Sequence, residues 1–410
     1  MQQSIVTLFG GKTGGVQFTV PLPLALYIHL PWCLKKCPYC DFNSHELRRG
    51  VDAQAPAGGF DTLERDYVAA LLADLESALP LVWGRSVQTV FIGGGTPSLF
   101  SPAAIEVLLA GVRARIKLAP DAEITLEANP GTFEAGRFAG YRAAGVTRLS
   151  IGVQSFNDDM LKVIGRVHDS AQARAAVHEA ARNFSTFNLD LMFALPGQSL
   201  AQCEADLAAA LAFAPPHLSV YHLTLEPNTL FARFPPVVPD DDAAAAMQDR
   251  ITDITQAAGY GHYEVSAYAQ PGHRCRHNLN YWQFGDYLGI GAGAHGKLSF
   301  ASRIVRHTRW RHPATYMQRA LEGQAVETEH EVAAADVPFE FMLNALRLHD
   351  GFAPALFTER CGLPLAVAEP ALREAERKGL LERTPELIRP TPLGQRFLND
   401  LQQVFLNDAT

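Results

Sequence analysis

The feature that most constrains the fold of this chain is a strand-then-helix pattern repeated through its first half. Short apolar runs, each ending in glycine, proline or polar residues, alternate with segments whose apolar residues recur at helical spacing. Six such units in succession predict an α/β fold with parallel strands and right-handed crossovers. The pattern leaves open whether the sheet is doubly wound or a partial barrel. The six predicted strands are residues 24–29, 87–92, 123–127, 147–153, 188–193 and 217–223.

The loop after the first strand carries three closely spaced cysteines. Cys33, Cys37 and Cys40 form a C-x3-C-x2-C pattern that contains half of the chain's 6 cysteines. Thiolates are the usual ligands of iron–sulfur clusters, and three of them leave one iron of a four-iron cluster open to another ligand. Two alternatives remain: a zinc site completed by His29 or His45, and buried cysteines that lie close by chance.

Polar residues lie at or near the carboxyl ends of the later strands. Glu127, Gln154 and Asp190 are of this kind, and in a parallel barrel their side chains converge above the strands. Asp190 lies within an apolar strand, where an unpaired charge is costly, so a partner such as Arg166 is expected. Residues 93–96 (GGGT) end the second strand and predict backbone N–H groups free to bind a ligand. A purely steric need for glycine is an equal alternative.

A second dense group of functional residue types comes much later in the chain. His277, Asn278, Tyr281 and Trp282 lie together, and Cys275 precedes them. Imidazole is a common axial ligand of haem iron and thiolate is another, while aromatic rings can flank a flat macrocycle. Composition alone favours the alternative, a loop whose polar groups satisfy the backbone and whose rings pack in the core.

Composition places the chain among ordinary globular proteins and argues against several partners. Its formal charge of −8 at pH 7 provides no basic field for nucleic acid. The sequence has no evident signal peptide and no apolar stretch long enough to span a membrane, although peripheral membrane contact is left open. The other cysteines lie far apart in sequence, which together with the missing export signal favours a cytoplasmic location.

The sequence divides into four predicted parts. Residues 1–22 predict a loose N-terminal arm, 23–260 the domain of β-α units, 261–335 a connecting region, and 336–410 a small α-rich domain that resembles a winged helix. Residues 48–60 predict a flexible connection within the second part. The last part is not basic, so we interpret it as a packing or partner module and not as a DNA-binding one.

The motifs YIHLPWCLKKCPYC and GGGTP together resemble the radical S-adenosylmethionine (radical SAM) superfamily. The resemblance to its coproporphyrinogen III dehydrogenase group extends over nearly the whole chain, through LEANPG, SIGVQSF, LDLMFALPGQ and the C-terminal domain. It implies a partial (β/α)6 barrel of the TIM type, a [4Fe–4S] cluster on the three loop cysteines, and SAM on the fourth iron. The positions that match the family's SAM contacts are Tyr27, Tyr39, Gly94, Gly95, Thr96, Glu127, Gln154, Arg166 and Asp190, with Thr224 near another.

One difference from the coproporphyrinogen III oxidases narrows the resemblance to a subgroup of the family. Oxygen-independent coproporphyrinogen III oxidases carry a further cysteine two residues after the third one of the motif, and this chain has Phe42 there. The HNxxYW pattern and the form CPYCDFNSH instead resemble the HemW-type haem chaperones. That resemblance implies haem bound by His277, Asn278, Tyr281 and Trp282.

The resemblance also implies a function and partners. The leading hypothesis is a haem chaperone that binds haem, a [4Fe–4S] cluster and SAM, and transfers haem to acceptor proteins, respiratory haemoproteins among them. A flavodoxin or ferredoxin is the implied electron donor. The rival is an oxygen-independent coproporphyrinogen III dehydrogenase, in which the cofactors supply the radical chemistry. A zinc-stabilised regulator is the third alternative.

Overall fold

A twelve-stranded sheet organises the computed structural model, which describes residues 15–47, 59–131 and 136–406. Two small two-stranded sheets accompany it. The strands are β1 (Leu24–Leu30), β2 (Trp32–Cys33), β3 (His45–Glu46), β4 (Val87–Gly94), β5 (Leu118–Ala128), β6 (Arg148–Gln154), β7 (Phe187–Phe193), β8 (His217–His222), β9 (Gly261–Glu264), β10 (Ala267–Ala269), β11 (Asp286–Ile290), β12 (His295–Phe300), β13 (Arg303–Arg309), β14 (Val326–Glu331), β15 (Leu381–Arg383) and β16 (Ile388–Pro390).

Helices connect these strands and form most of the C-terminal part. Several begin with side-chain caps that the sequence specifies, such as the capping boxes of Asp169 with Gln172 and of Ser199 with Gln202. The α-helices are α1 (Gly59–Ala78), α2 (Pro102–Arg115), α3 (Phe138–Ala144), α4 (Asp158–Val163), α5 (Ser170–Asn183), α6 (Leu200–Leu211), α7 (Leu230–Arg233), α8 (Asp241–Ala257), α9 (Arg276–Trp282), α10 (Pro313–Leu321), α11 (Val337–Ala345), α12 (Pro354–Cys361), α13 (Glu369–Arg377), α14 (Pro392–Arg396) and α15 (Leu398–Gln403).

The six predicted β-α units form the parallel part of the large sheet. β1 pairs with β4, and β5 to β8 follow in chain order, all parallel. The predicted α/β architecture is therefore confirmed, and the carboxyl ends of all six strands lie along one edge. The complete strand order is β14-β13-β12-β11-β1-β4-β5-β6-β7-β8-β10-β9.

The region predicted to connect the two domains, residues 261–335, contributes strands to this same sheet. β11 pairs with β1 in parallel, and β12, β13 and β14 extend that side antiparallel. On the other side, β10 pairs antiparallel with β8, and β9 pairs antiparallel with β10 at the edge of the sheet. Short strands joined by tight turns carry too little periodicity to be recognised as parts of a larger sheet.

The C-terminal domain has its own core. Apolar side chains of α11, α12 and α13 pack there with the β15–β16 hairpin, an arrangement that agrees with the winged-helix prediction. The N-terminal arm was expected to be loose, but its described residues pack against this region. Val16 is buried in the same core, and the Gln17 amide donates to the Gly362 carbonyl at 2.8 Å. Of the connection predicted for residues 48–60, all but the last two lie outside the described residues; those two begin α1.

A buried ion pair joins α1 to the last strands of the sheet. Asp74 and Arg309 are each 1% exposed and lie 3.1 Å apart. The second carboxylate oxygen of Asp74 accepts the Tyr316 hydroxyl at 2.9 Å and the Gly291 amide at 3.3 Å. Buried charges need hydrogen-bond partners of this kind, because desolvation is otherwise uncompensated. Among the described residues, no helix has the length and apolar character needed to cross a bilayer.

We expect the Asp74→Ala substitution to destabilise the fold by about 3–5 kcal/mol, because it leaves the Arg309 guanidinium buried without its partner. The measurement is chemical unfolding of the whole chain followed by tryptophan fluorescence. Asp66→Ala, on the exposed side of the same helix, is the matched control and should change the free energy of unfolding by less than about 0.5 kcal/mol. Equal effects of the two substitutions would contradict the assignment.

Candidate cluster and cofactor cleft

The three loop cysteines lie at one wall of a cleft above the carboxyl ends of the parallel strands. Each sulfur has a polar neighbour: Thr96 Oγ1 donates to Cys33 Sγ at 3.5 Å, Arg166 Nη1 donates to Cys37 Sγ at 3.7 Å, and Ser44 Oγ lies 3.6 Å from Cys40 Sγ. None of the three forms a disulfide. Hydrogen-bond donors directed at sulfur stabilise thiolates.

The cleft has a volume of about 350 Å³ and collects most of the predicted SAM positions. Tyr27 is the exception, since it lines a neighbouring pocket. The predicted residues that line the cleft are Cys33, Cys37, Cys40, Tyr39, Gly94, Gly95, Thr96, Glu127, Gln154, Arg166, Asp190 and Thr224. Glu127, Gln154 and Asp190, which were expected to converge above the strands, all line this cleft.

The backbone N–H groups of the GGGT loop were expected to be free, and this prediction is wrong for residues 94–96. The Gly94 amide donates to Glu127 Oε2 at 3.1 Å, the Gly95 amide to the Leu30 carbonyl at 2.8 Å, and the Thr96 amide to the Trp32 carbonyl at 2.7 Å. These bonds attach the loop to the cysteine loop. They leave no amide of residues 94–96 available to a ligand.

The glycines of this loop are required because a side chain would clash with neighbouring atoms. A Cβ at position 95 would lie 2.6 Å from the Trp32 carbonyl oxygen and 2.8 Å from the backbone carbon of Pro31. Gly94 has a φ of +122°, and a Cβ there would lie 2.7 Å from the His29 ring. Only glycine permits this approach of two backbones. The close contact sets the position of Cys33 relative to the strand ends.

The Asp190 partner suggested by the sequence was Arg166, and the structure places other groups there. Asp190 accepts hydrogen bonds from Asn188 Nδ2 at 2.7 Å and from Ser150 Oγ at 3.1 Å. Arg166 Nη2 instead donates to Asn129 Oδ1 at 2.7 Å and to the Gly152 carbonyl at 2.6 Å. Arg166 thus connects the C-terminal part of β6 to the cysteine loop.

Two further groups in the cleft are held in unusual states. Burial, with the neighbouring Asp190 carboxylate, raises the pKa of Glu127 to about 8. Gln154 ends β6 with a φ of +68°, a left-handed conformation that non-glycine residues rarely adopt. Backbone strain of this kind is concentrated at functional sites.

Asn129 is a further residue of the cleft, and sequence reasoning missed it although it lies within the LEANPG motif. Its Nδ2 donates a hydrogen bond to Thr96 Oγ1 at 2.9 Å.

A second cavity, here called the side pocket, adjoins the cleft next to β1, β11 and β12. It has a volume of about 360 Å³. The cleft and the side pocket share the wall formed by Asp41, Phe42, Gly94 and Glu127. The walls that belong to the side pocket alone include Tyr27, His29, Tyr281, Tyr287, His295 and Arg311.

The residues of the HNxxYW pattern form helix α9 on the inner face of the sheet. The backbone amide of His277 donates to Glu123 Oε1 at 3.1 Å, so a carboxylate caps the helix start. His277 packs 5.0 Å from the Phe91 ring, and its Nδ1 lies 2.9 Å from Thr89 Oγ1. Because Thr89 lies early in β4, α9 fills the end of the barrel interior opposite the cysteine loop.

The structure does not bring the four predicted haem residues together in one cavity. His277 is 2% exposed, and burial, followed by the charge of Arg148, lowers its pKa to about 3. Trp282 lies under the Arg347 guanidinium at 4.3 Å. Tyr281 alone of the four lines the side pocket. Cys275 is buried beside Glu123, and burial raises its pKa to about 12, as expected for an inert thiol.

The donor set suits a four-iron cluster, because thiolates are the usual ligands of such clusters. Three thiol sulfurs with polar neighbours line one cleft. Phe42, not another cysteine, occupies the position two residues after the third one.

Comparisons with known proteins identify the family. Residues 27–210 match the radical SAM superfamily, and residues 332–397 match the HemN C-terminal domain. A heme chaperone HemW from Escherichia coli (strain K12) is 50% identical over 94% of this chain and 98% of that protein. The chain belongs to the HemW family of the radical SAM superfamily. The HemW of Haemophilus influenzae (strain ATCC 51907 / DSM 11121 / KW20 / Rd) is 44% identical over the same shares of the two chains.

More distant similarities include an animal protein and a solved enzyme structure. A mitochondrial radical S-adenosyl methionine domain-containing protein 1 from Bos taurus is 40% identical over 70% of this chain and 63% of that protein. The solved coproporphyrinogen III oxidase (HemN) of Escherichia coli superposes with a TM-score of 0.78 at 22% identity, covering 94% of this chain and 90% of that chain. This likeness concerns the fold, and it confirms the predicted radical SAM core. Family membership implies a [4Fe–4S] cluster and SAM.

We expect Gly95→Ala to disrupt the cysteine loop, because the added Cβ meets the Trp32 and Pro31 backbones, which have no room to yield. The variant should be destabilised by about 1–3 kcal/mol and should contain less iron per chain after anaerobic reconstitution. Gly136→Ala is the matched control, since a Cβ there meets no atom within 4 Å. Normal iron content in Gly95→Ala would show that the close approach does not position the cysteines.

The raised pKa of Glu127 predicts a pH dependence of stability. The folded chain keeps the proton up to about pH 8, whereas the unfolded chain loses it near the ordinary value of 4.5. Stability should therefore fall as pH rises from about 4.5 to about 8. Glu127→Gln removes this contribution, so its stability relative to wild type should increase over that range in chemical unfolding. Glu106→Gln makes the same carboxylate-to-amide change at an exposed position of α2 and is the matched control.

Proposed function

We propose that this chain is a haem chaperone, which binds haem and passes it to acceptor proteins. The observation that carries the proposal is the 50% identity to a heme chaperone over 98% of that protein's length. A match of this extent includes both the cysteine loop and the C-terminal domain. The presence of Phe42 in place of a further cysteine separates the chain from the oxidases that it resembles.

Cys33, Cys37 and Cys40 are the proposed ligands of a [4Fe–4S] cluster. When bound, such a cluster offers its fourth iron to the amino and carboxylate groups of SAM. The chain's own part is to hold the three sulfurs on one wall and to donate hydrogen bonds to them. Arg166 and Thr96 are the donors, and their bonds to sulfur favour the thiolate state.

The remaining cleft residues are the proposed SAM contacts. Because the amides of the GGGT loop are used within the protein, this loop is expected to meet SAM through carbonyl oxygens, which suit an amino group. Asp190 and Glu127 are placed to accept hydroxyl groups from a ribose. The full proposed set is Tyr27, Tyr39, Gly94, Gly95, Thr96, Glu127, Gln154, Arg166 and Asp190.

The proposed partners follow from this assignment. Haem acceptors, respiratory haemoproteins among them, receive the cargo, and a flavodoxin or ferredoxin is the proposed electron donor. The rival function, dehydrogenation of coproporphyrinogen III, rests on the shared fold and on the match to the HemN C-terminal domain.

We expect the anaerobically reconstituted wild-type protein to bind haem in a Soret-absorbance titration and to release it to an apo-haemoprotein. Cys40→Ala should lose the iron–sulfur absorption, whereas Cys203→Ala, at a buried cysteine of α6, should keep it. The same preparation, given dithionite, SAM and coproporphyrinogen III, should yield no protoporphyrinogen. Steady turnover in that assay, without haem transfer, would establish the rival.

A further inference from the structure

The side pocket holds a histidine with a free ring nitrogen. His295 begins β12 with an exposed side chain, and its Nδ1 lies 3.5 Å from Thr308 Oγ1. Its Nε2 has no hydrogen-bond partner among the described residues. Burial of one side, with the charges of Arg306 and Arg311, lowers the pKa of His295, so the ring is neutral near pH 7. A neutral imidazole with an available nitrogen is competent to bind a metal.

The other histidine of the side pocket is fully engaged. His29 Nδ1 lies 3.0 Å from the Tyr27 hydroxyl, and its Nε2 lies 2.9 Å from the Asn43 carbonyl. Its ring also packs closely against Gly94. His29 therefore has a structural role, and His295 is the ligand candidate on this wall.

A guanidinium without an acidic partner stands beside His295. Arg311 is exposed, and none of the ion pairs among the described residues includes it. Its backbone is fixed, because Asn43 Nδ2 donates to the Arg311 carbonyl and to the Ala292 carbonyl, each at 2.9 Å. An unpaired arginine at the mouth of a pocket is suited to a ligand carboxylate.

Aromatic rings form the floor of the side pocket. Tyr281 and Tyr287 lie with ring centroids 4.4 Å apart, and Tyr27 stacks on Phe91 at 6.3 Å. The carboxylates of the pocket, Asp41 and Glu127, lie on the wall shared with the cleft. A ligand with its own carboxylates is therefore expected to direct them away from that wall. The pocket combines aromatic rings, a candidate metal ligand and a candidate carboxylate partner.

We propose that the side pocket is the haem site, with His295 as an axial ligand of the iron and Arg311 as the partner of a haem propionate. The proposal rests on the proposed chaperone function and names the residues that perform it. It assigns His277 a different role: this residue anchors α9 through Thr89, so that Tyr281, one helical turn later, reaches the pocket floor. Haem in this position lies next to the SAM cleft across the shared wall.

The test is anaerobic haem titration of the reconstituted full-length protein, with iron and sulfide content measured on the same samples. His295→Ala should weaken haem binding by about tenfold or more and shift the Soret maximum, because an iron ligand is lost. Arg311→Gln should weaken binding by about threefold with an unchanged Soret maximum. His330→Ala and Arg65→Ala, both at exposed positions outside the lining of the side pocket, are the matched controls and should bind haem as wild type does.

The outcomes separate this proposal from the proposed function. A wild-type protein that takes up no haem overturns both. Wild-type affinity and spectrum in His295→Ala, with haem binding intact in the unsubstituted chain, overturn the side pocket alone. A Soret shift in His277→Ala with none in His295→Ala assigns the iron to α9 instead. If His295→Ala loses the cluster, the haem titration of Arg311→Gln provides the test instead. Wild-type haem affinity in Arg311→Gln contradicts the proposed haem site in the side pocket.

Discussion

The close approach of the β4 loop to the cysteine loop is the constraint on which the rest of the site depends. Two backbone hydrogen bonds, from the Gly95 and Thr96 amides to the carbonyls of Leu30 and Trp32, join loops that follow adjacent parallel strands. The bonds form only because residue 95 lacks a Cβ. With this contact in place, Cys33 comes within reach of Thr96, and the carboxyl edge of the sheet becomes one wall of the cleft.

The strand ends could be predicted from the sequence because side-chain alternation and the parallel arrangement leave few choices. Glu127, Gln154 and Asp190 follow buried strands, and parallel strands bring such positions to one edge. Their hydrogen-bond partners depend on distances across the barrel, which sequence spacing does not contain. Arg166 was for this reason matched with Asp190, whereas the folded chain places it against Asn129 and the cysteine loop.

The regions that the sequence described poorly share one physical cause. Residues 261–335 form strands of a few residues between tight turns, and such strands gain their stability from neighbours already in the sheet. The HNxxYW pattern was equally hard to interpret. The same polar and aromatic residue types can either bind a ligand or pack in a protein core. His277 lies in the packed interior, yet Tyr281 on the same helix face reaches a cavity.

Helix α9 closes the barrel interior at the end opposite the cysteine loop, with Glu123 capping its first turn and Phe91 above His277. The cleft and the side pocket consequently lie on the same side of α9, next to the cysteine loop and to each other. One seven-residue helix thereby confines both cavities to one end of the barrel.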